Sequence, residues 1–381
     1  MGIFLRVLVA VAAFAVSGVG FRLVASPSGG GLVGAKREFW RDQRQPFDTV
    51  FLGSSHVYRG IVPREFDRQL GSARFASRSF NYGVQLPSLL ECRYLIRELI
   101  SGSQGLKRIF FEYQTLTPQI DPQNAFQPRT LYWHDLASTR SSVERALYWG
   151  DRLGDDFEIV EEAAQGRSVF ALLDGVLAAP WRVANIHVQH YLVDAMFVGR
   201  SKDFARGLLG RQHGQARRFQ DGGGYISLEE ENRWLSEQGQ PDNPYSRRSN
   251  HFLAHLNEFW ADVQALRTLP KVFEDEEWMN SELTQVHDLE LLEAIAREVT
   301  EAGIEFVLVV LPQQSADRKI EEQLAERLGV PVLRYNRPGR YPELYEPKMR
   351  FDSGHLSAEG ALWFTRQLAR DYVSFSKQVR G

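Results

Sequence analysis

Two parts of the chain alternate short apolar runs with longer stretches of helical period. Thr49–Gly53 (TVFLG), Arg108–Tyr113 (RIFFEY) and Ile304–Leu311 (IEFVLVVL) are brief and almost free of polar residues. That is the pattern of strands buried on both faces. Val330–Tyr335 (VPVLRY) reads as an edge companion. Between them, Leu89, Leu90, Tyr94, Leu95 and Ile100 recur at helical spacing behind Pro87, and Leu283, Val286, Leu291, Leu292, Ile295 and Val299 form a second such set leading into the strand at Ile304. A third helix, SAEGALWFTRQLARDYVSF, closes the chain, with Ser357 placed to cap it. Strand alternating with helix predicts an α/β protein whose parallel sheet is covered on both faces, and ligands of such sheets bind at the carboxyl ends of the strands.

The interval from about 115 to 280 breaks this rhythm with aromatic, arginine and loop residues, and reads as a large helical and loop insertion over the sheet. The other break is N-terminal. Val7 to Phe21 is uncharged between Arg6 and Arg22, and Ile3 to Ala25 is long enough to span a bilayer if the arginines snorkel. Residues 1–25 therefore read as a transmembrane signal-anchor, with a cleaved signal peptide as the alternative. Both export the rest of the chain, which comprises a glycine-rich tether over 26–47 and the main domain over 48–381. Within the tether, KREFWRDQRQPF mixes basic and aromatic residues, suited to a lipid surface or to an ordinary solvated helix.

Charge and cysteine content narrow the chemistry. The net charge is −3 at pH 7, so no basic excess points to nucleic acid. Cys92 is the only cysteine, which excludes an internal disulfide and any cysteine-based metal site; it reads as a small core residue. The histidine pairs His187/His190 (HVQH) and His251/His255 (HFLAH) lack the glutamate of a zinc-protease motif, and no phosphate-loop or dinucleotide fingerprint follows a strand. No metal and no cofactor is expected.

What remains is a serine turn and a late histidine. Gly53, Ser54 and Ser55 follow the first strand directly, where a turn presents a side chain at the sheet's carboxyl edge. A serine hydroxyl is a weak nucleophile without a base. In FDSGHLSAEGA, Asp352 and His355 stand three residues apart just before the last helix, so one loop can supply both a base and the carboxylate that orients it. Taken alone, Ser55 would be a turn residue; the distant DSGH element turns the reading towards function. Ser54 reads as a helper, and His56 as a residue that packs or donates locally.

Together, GSSH after the first strand, FNYG near the second and DSGHL entering the last helix resemble the SGNH (GDSL-like) hydrolase superfamily. Within it the chain looks similar to membrane-anchored polysaccharide O-acetylation proteins and the teichoic acid D-alanyl-transfer protein. The likeness covers Asp48–Tyr113 and about 283–375. It implies a three-layer α/β/α flavodoxin-like fold, with Ser55 as nucleophile, His355 as base and Asp352 as its orienter. It also implies that the backbone N–H groups of Ser55 and Gly83 hold an oxyanion. The family's third block, Gly-x-Asn-Asp, is missing; FEYQTLTP stands there, with Gln114 or Thr115 as substitute side-chain donor, or no third donor at all.

The resemblance implies a periplasmic, single-pass, membrane-tethered serine esterase or acyltransferase acting on acyl groups of a cell-envelope polysaccharide or another acyl ester, alongside a membrane acyltransferase partner. The aromatics of YWHD, RALYW and Trp181 offer a sugar-stacking groove in the insertion. The alternative is a non-catalytic SGNH-like scaffold in an envelope acylation complex.

Overall fold

The computed structural model describes residues 31–43, 46–103, 105–113, 132–149, 179–195, 222–268, 279–313 and 327–380, with a few isolated residues besides. Contacts divide the chain into two units, Met1–Asp42 with Thr117–Ala216, and Gln43–Leu116 with Arg217–Gly381.

The second unit holds the sheet. Strands β1 (Thr49–Leu52), β2 (Ser79–Asn81), β3 (Arg108–Glu112), β4 (Glu305–Val310) and β5 (Val332–Arg334) lie in the order β2-β1-β3-β4-β5. All four pairings are parallel. The chain steps outward from β1 to β2 and then returns past β1 to β3, so the strand order reverses between β1 and β3, the place where open α/β sheets form a crevice at the carboxyl ends. The three expected central runs and the edge companion are thus strands.

Successive side chains of a strand point to opposite faces. Phe51, Phe110, Val307 and Val309 enter one core cluster with Phe66, Phe364 and Tyr372. Their alternates Val50, Leu52, Ile109, Phe111, Phe306 and Leu308 are equally buried, so both faces are covered. The core rings meet edge to face, Phe51 on Phe66 at 4.9 Å and Phe110 on Tyr372 at 5.1 Å, the geometry favoured by aromatic quadrupoles.

In chain order, the first unit opens with helix α1 (Gly31–Arg41), and the sheet unit adds α2 (Ser55–Gly60), α3 (Pro63–Ser72) and α4 (Leu89–Gly102). The first unit resumes with α5 (Leu136–Trp149) and α6 (Ala179–Ala195). The sheet unit then continues through α7 (Leu228–Glu237), α8 (Pro244–Ala254), α9 (Leu256–Thr268), α10 (Met279–Glu301) and α11 (Ala358–Arg380). Helix α11 packs on α3 and α2, while α10 packs on α4 and β4. The arrangement is α/β and compatible with a three-layer stack. Ser357 Oγ accepts the Gly360 N–H to cap α11 as read, while α4, read as starting behind Pro87, is capped by the next residue, Ser88, whose Oγ accepts the Glu91 N–H.

Two boundaries differ from the sequence reading. Gly31–Arg41 is a helix with Val33, Lys36, Arg37 and Phe39 buried, so this part of the expected tether is ordered; its apolar positions recur at helical spacing and bury within the first unit. The expected insertion is also split, since residues from Arg217 onward group with the sheet. Most of residues 1–30 lies outside the described residues. Among those described, no helix is long and apolar enough to cross a membrane.

In the first unit α5 packs on α6. Tyr132 and Trp133 of YWHD are buried, hence core aromatics rather than a groove, whereas Trp181 is 55% exposed. Histidines 134 and 187 are buried with their rings bonded, Nε2 to Nδ1 at 3.0 Å, and His190 lies edge-on to His134.

Candidate active site

β1 ends in a turn that only glycine can enter. A Cβ on Gly53 would lie 2.5 Å from Glu112 Cβ at the end of β3 and 2.6 Å from Val57. Ser54 then caps α2, its Oγ accepting the His56 N–H at 3.1 Å, which puts Ser55 on the first residue of the helix, half-buried at the sheet's carboxyl edge. First-turn N–H groups of a helix have no carbonyl behind them to bond. The Ser55 N–H has no hydrogen-bond partner among the described residues.

The loop before α11 comes to the same edge. Asp352 Oδ1 accepts the N–H groups of Gly354 (2.9 Å) and His355 (2.7 Å), a carboxylate-centred turn built into the D-S-G-H order. The buried Arg350 guanidinium straps this loop to the end of β4, donating to the carbonyls of Pro312 (2.9 Å) and Ser353 (2.6 Å). As a result His355 Nε2 sits 2.9 Å from Ser55 Oγ across 300 residues of sequence, and His355 Nδ1 sits 2.9 Å from Asp352 Oδ1. The structure brings Ser55, His355 and Asp352 together.

Arg248, from α8, joins them. Its Nη2 donates to Asp352 Oδ2 at 2.6 Å and lies 3.0 Å from His355 Nδ1. Both Asp352 oxygens, 2.9 and 3.2 Å from Nδ1, are acceptors, so the Nδ1 proton goes to Asp352 and Nε2 is left to accept from Ser55. Burial raises the Asp352 carboxyl, but the His355 hydrogen bond and charge, then Arg248, outweigh it and hold it down at about 2. His355 is pushed below its ordinary value, by burial first and by the His56 and Arg248 charges, against the pull of Asp352. A neutral imidazole next to an ionised carboxylate is the state required of a general base.

The oxyanion expectation for Gly83 is not met in this arrangement. Its N–H donates to Asn81 Oδ1 at 2.9 Å, while Asn81 Nδ2 donates to the Val57 and Ile61 carbonyls at 2.7 Å each. Gly83 is required for another reason: a Cβ there would lie 2.3 Å from the Tyr58 backbone nitrogen. The FNYG segment ties β2 to the end of α2. Gln114 and Thr115 lie outside the described residues.

Three neighbours escaped the sequence reading. Arg248 sits in an unassigned helix and carries no motif. Glu112 ends β3 as a fully buried carboxylate, accepting the Ser54 N–H on Oε2 and the Ser54 hydroxyl on Oε1 at 3.1 Å. Gln313, just beyond β4, donates to Glu112 Oε1 at 3.3 Å. The signal for Glu112 was a carboxylate directly after the apolar run Ile109–Phe111, at the carboxyl end of the strand.

A cleft of about 720 Å³ opens from Asp352, Ser353 and Gly354 between α8 and α9, with Arg247, Arg248 and His251 on one wall and Glu258 and Asp262 on the other. His255 also lines it, its Nδ1 2.7 Å from the His251 carbonyl. Among the described residues no group of three histidine, cysteine or carboxylate side chains is placed to hold a metal ion. No protein-family model matches the chain, and no curated protein matches it.

Proposed function

We propose that the chain is an SGNH-like serine esterase or acyltransferase, tethered to a membrane with its main domain extracytoplasmic, and that it moves or removes acyl groups such as acetyl on a cell-envelope polysaccharide. The observation that carries this reading is the relay Ser55 Oγ–His355 Nε2 at 2.9 Å and His355 Nδ1–Asp352 Oδ1 at 2.9 Å, assembled at the carboxyl edge of a parallel sheet. The strand order 2-1-3-4-5 is the flavodoxin-like one, which supports the family resemblance of the GSSH and DSGHL elements.

In this mechanism Ser55 Oγ adds to the ester carbonyl as its proton passes to His355 Nε2, and Asp352 stabilises the imidazolium that forms. The proton then goes to the departing alcohol, leaving an acyl group on Ser55. An acceptor, water or a sugar hydroxyl, repeats the sequence in reverse: its proton passes to His355 and on to Ser55 Oγ as the acyl–oxygen bond breaks. The Ser55 N–H is the donor ready for the oxyanion; such a donor contributes about 2.7–4 kcal/mol to the transition state.

Incubating the extracytoplasmic domain with an activated acetyl ester should add one acetyl mass to the wild type and none to Ser55→Ala. Sugar oligomers then distinguish transfer, which acetylates the sugar, from hydrolysis, which releases acetate. One observation favours a second reading, the non-catalytic scaffold: the Gly83 N–H is committed to Asn81, so an oxyanion would have fewer donors than the family pattern implies. Absence of adduct and turnover in the wild type would select it.

A further inference from the structure

One buried carboxylate at the site has no part in the relay of Ser55, His355 and Asp352. Glu112 holds the residues on both sides of the nucleophile: Ser54 through its N–H and hydroxyl, and His56 through Nδ1, 3.3 Å from Oε1. The His56 ring in turn stacks on the His355 ring, centroids 4.9 Å apart and planes 22° from parallel. So a single carboxylate at the end of β3 grips the nucleophile turn directly and the base through one intervening ring.

Three polar groups face His56 Nδ1. Glu112 Oε1 lies 3.3 Å away, Gln313 Nε2 3.2 Å, and Ser54 Oγ, which gives its own proton to Glu112, 3.0 Å. The Gln313 amide has two N–H groups and directs one at Glu112 Oε1, so it bridges the carboxylate and the ring. His56 Nε2 belongs to a side chain 24% exposed and lies 3.6 Å from the point a Cβ on Gly354 would occupy.

We propose that Glu112 and His56 form a second histidine–carboxylate pair, whose function is to position Ser55 and His355 against each other for acyl transfer. This rests on the serine-nucleophile reading and deepens it. His56 and Glu112 are positioning residues, because they act through Ser54, Ser55 and His355. The pair stands at the β1–β3 reversal, where the family pattern has its missing third block, so the buried carboxylate supports the turn from below. The charged and titratable groups around His56 are Glu112 on β3, His355 and Asp352 in the loop before α11, and Arg248 of α8 bonded to Asp352.

The test is the rate of acetyl-adduct formation at Ser55, followed by intact mass with the same activated ester, as a function of pH. Glu112→Gln keeps the volume but replaces an acceptor oxygen by a donor NH₂, and should slow acylation about 10–100-fold, since misplacement of a reacting group by about 1 Å costs up to 10²-fold. His56→Phe keeps the stacked ring and should lose less than His56→Ala. It also removes the charge that a protonated His56 sets against His355, so its acidic limb should move to higher pH. Rates and limb equal to wild type in all three variants would overturn the pair while leaving the nucleophile intact. An unlabelled wild type would overturn both. If Glu112→Gln does not fold, the order of the two His56 variants and the displaced limb decide alone.

Discussion

At His355, burial and the charges of His56 and Arg248 oppose Asp352, and the balance falls on the side of the neutral ring. A base with a lowered pKa stays neutral, hence active, to lower pH. The acidic limb of Ser55 acylation should therefore lie below the ordinary histidine value of about 6.5. Arg248 contributes to that depression from a side chain 46% exposed, so solvent weakens its effect. In Arg248→Met the limb should move upward towards 6.5 in a pH–rate profile; a limb that stays put would show that the guanidinium is fully screened. The same variant removes a bond to Asp352 Oδ2, so the two readouts, limb position and maximal rate, separate charge from positioning.

Among the elements, the short α2 depends on a residue outside it. Six residues make fewer than two turns, and beyond the Val57 carbonyl, which takes the Ile61 N–H, the carbonyls at its C-terminal end have no continuing helix to supply donors. Asn81, fully buried on β2, donates to the Val57 and Ile61 carbonyls and accepts the Gly83 N–H. In Asn81→Ala the Val57 carbonyl keeps the Ile61 N–H, but the buried Ile61 carbonyl loses its amide donor, at about 1–3 kcal/mol. Urea denaturation should show a loss of about 1–3 kcal/mol; a loss well below about 1 kcal/mol would mean that water replaces the amide. The sequence made FNYG legible as an element near the second strand and Gly83 as a required glycine. It could not assign the donor, because whether an N–H faces a ligand or a neighbouring amide depends on how β2 meets α2.

For the whole molecule, the first consequence is that Ser55, His355, Asp352, Arg248, Glu112 and Gln313 all belong to the sheet unit. The second is acid sensitivity. Glu65 on α3 is held down at about 2 by Arg68, then Gln69 and Arg366 of α11, against burial, and Asp352 is held equally low. A carboxylate with a depressed folded pKa stabilises the fold fully above its unfolded value, about 3.9–4.3, and loses that contribution as pH falls through the folded value. His355, also depressed, adds a loss of the same sign that begins below about 6.5. Stability should thus fall continuously from mild to strong acid. Glu65→Gln should flatten the part of a denaturation-versus-pH curve between about pH 4.3 and 2; an unchanged slope there would assign the loss to other groups.

The sequence alone determined strands β1, β3, β4 and β5, helices α4, α10 and α11, the serine turn and the D-S-G-H loop, because burial period, caps and turn chemistry act within a few residues. The same local order placed Asp352 beside His355, three positions apart. Only the tertiary structure decided that His355 reaches Ser55, that a helix of the expected insertion sends Arg248 onto Asp352, that Asn81 takes the Gly83 N–H, and that Glu112 lies under the nucleophile turn. Each of these is a pairing of polar groups brought together by packing of apolar elements far apart in the chain. No periodicity encodes such a pairing, since it follows from which strand ends become neighbours at the β1–β3 reversal.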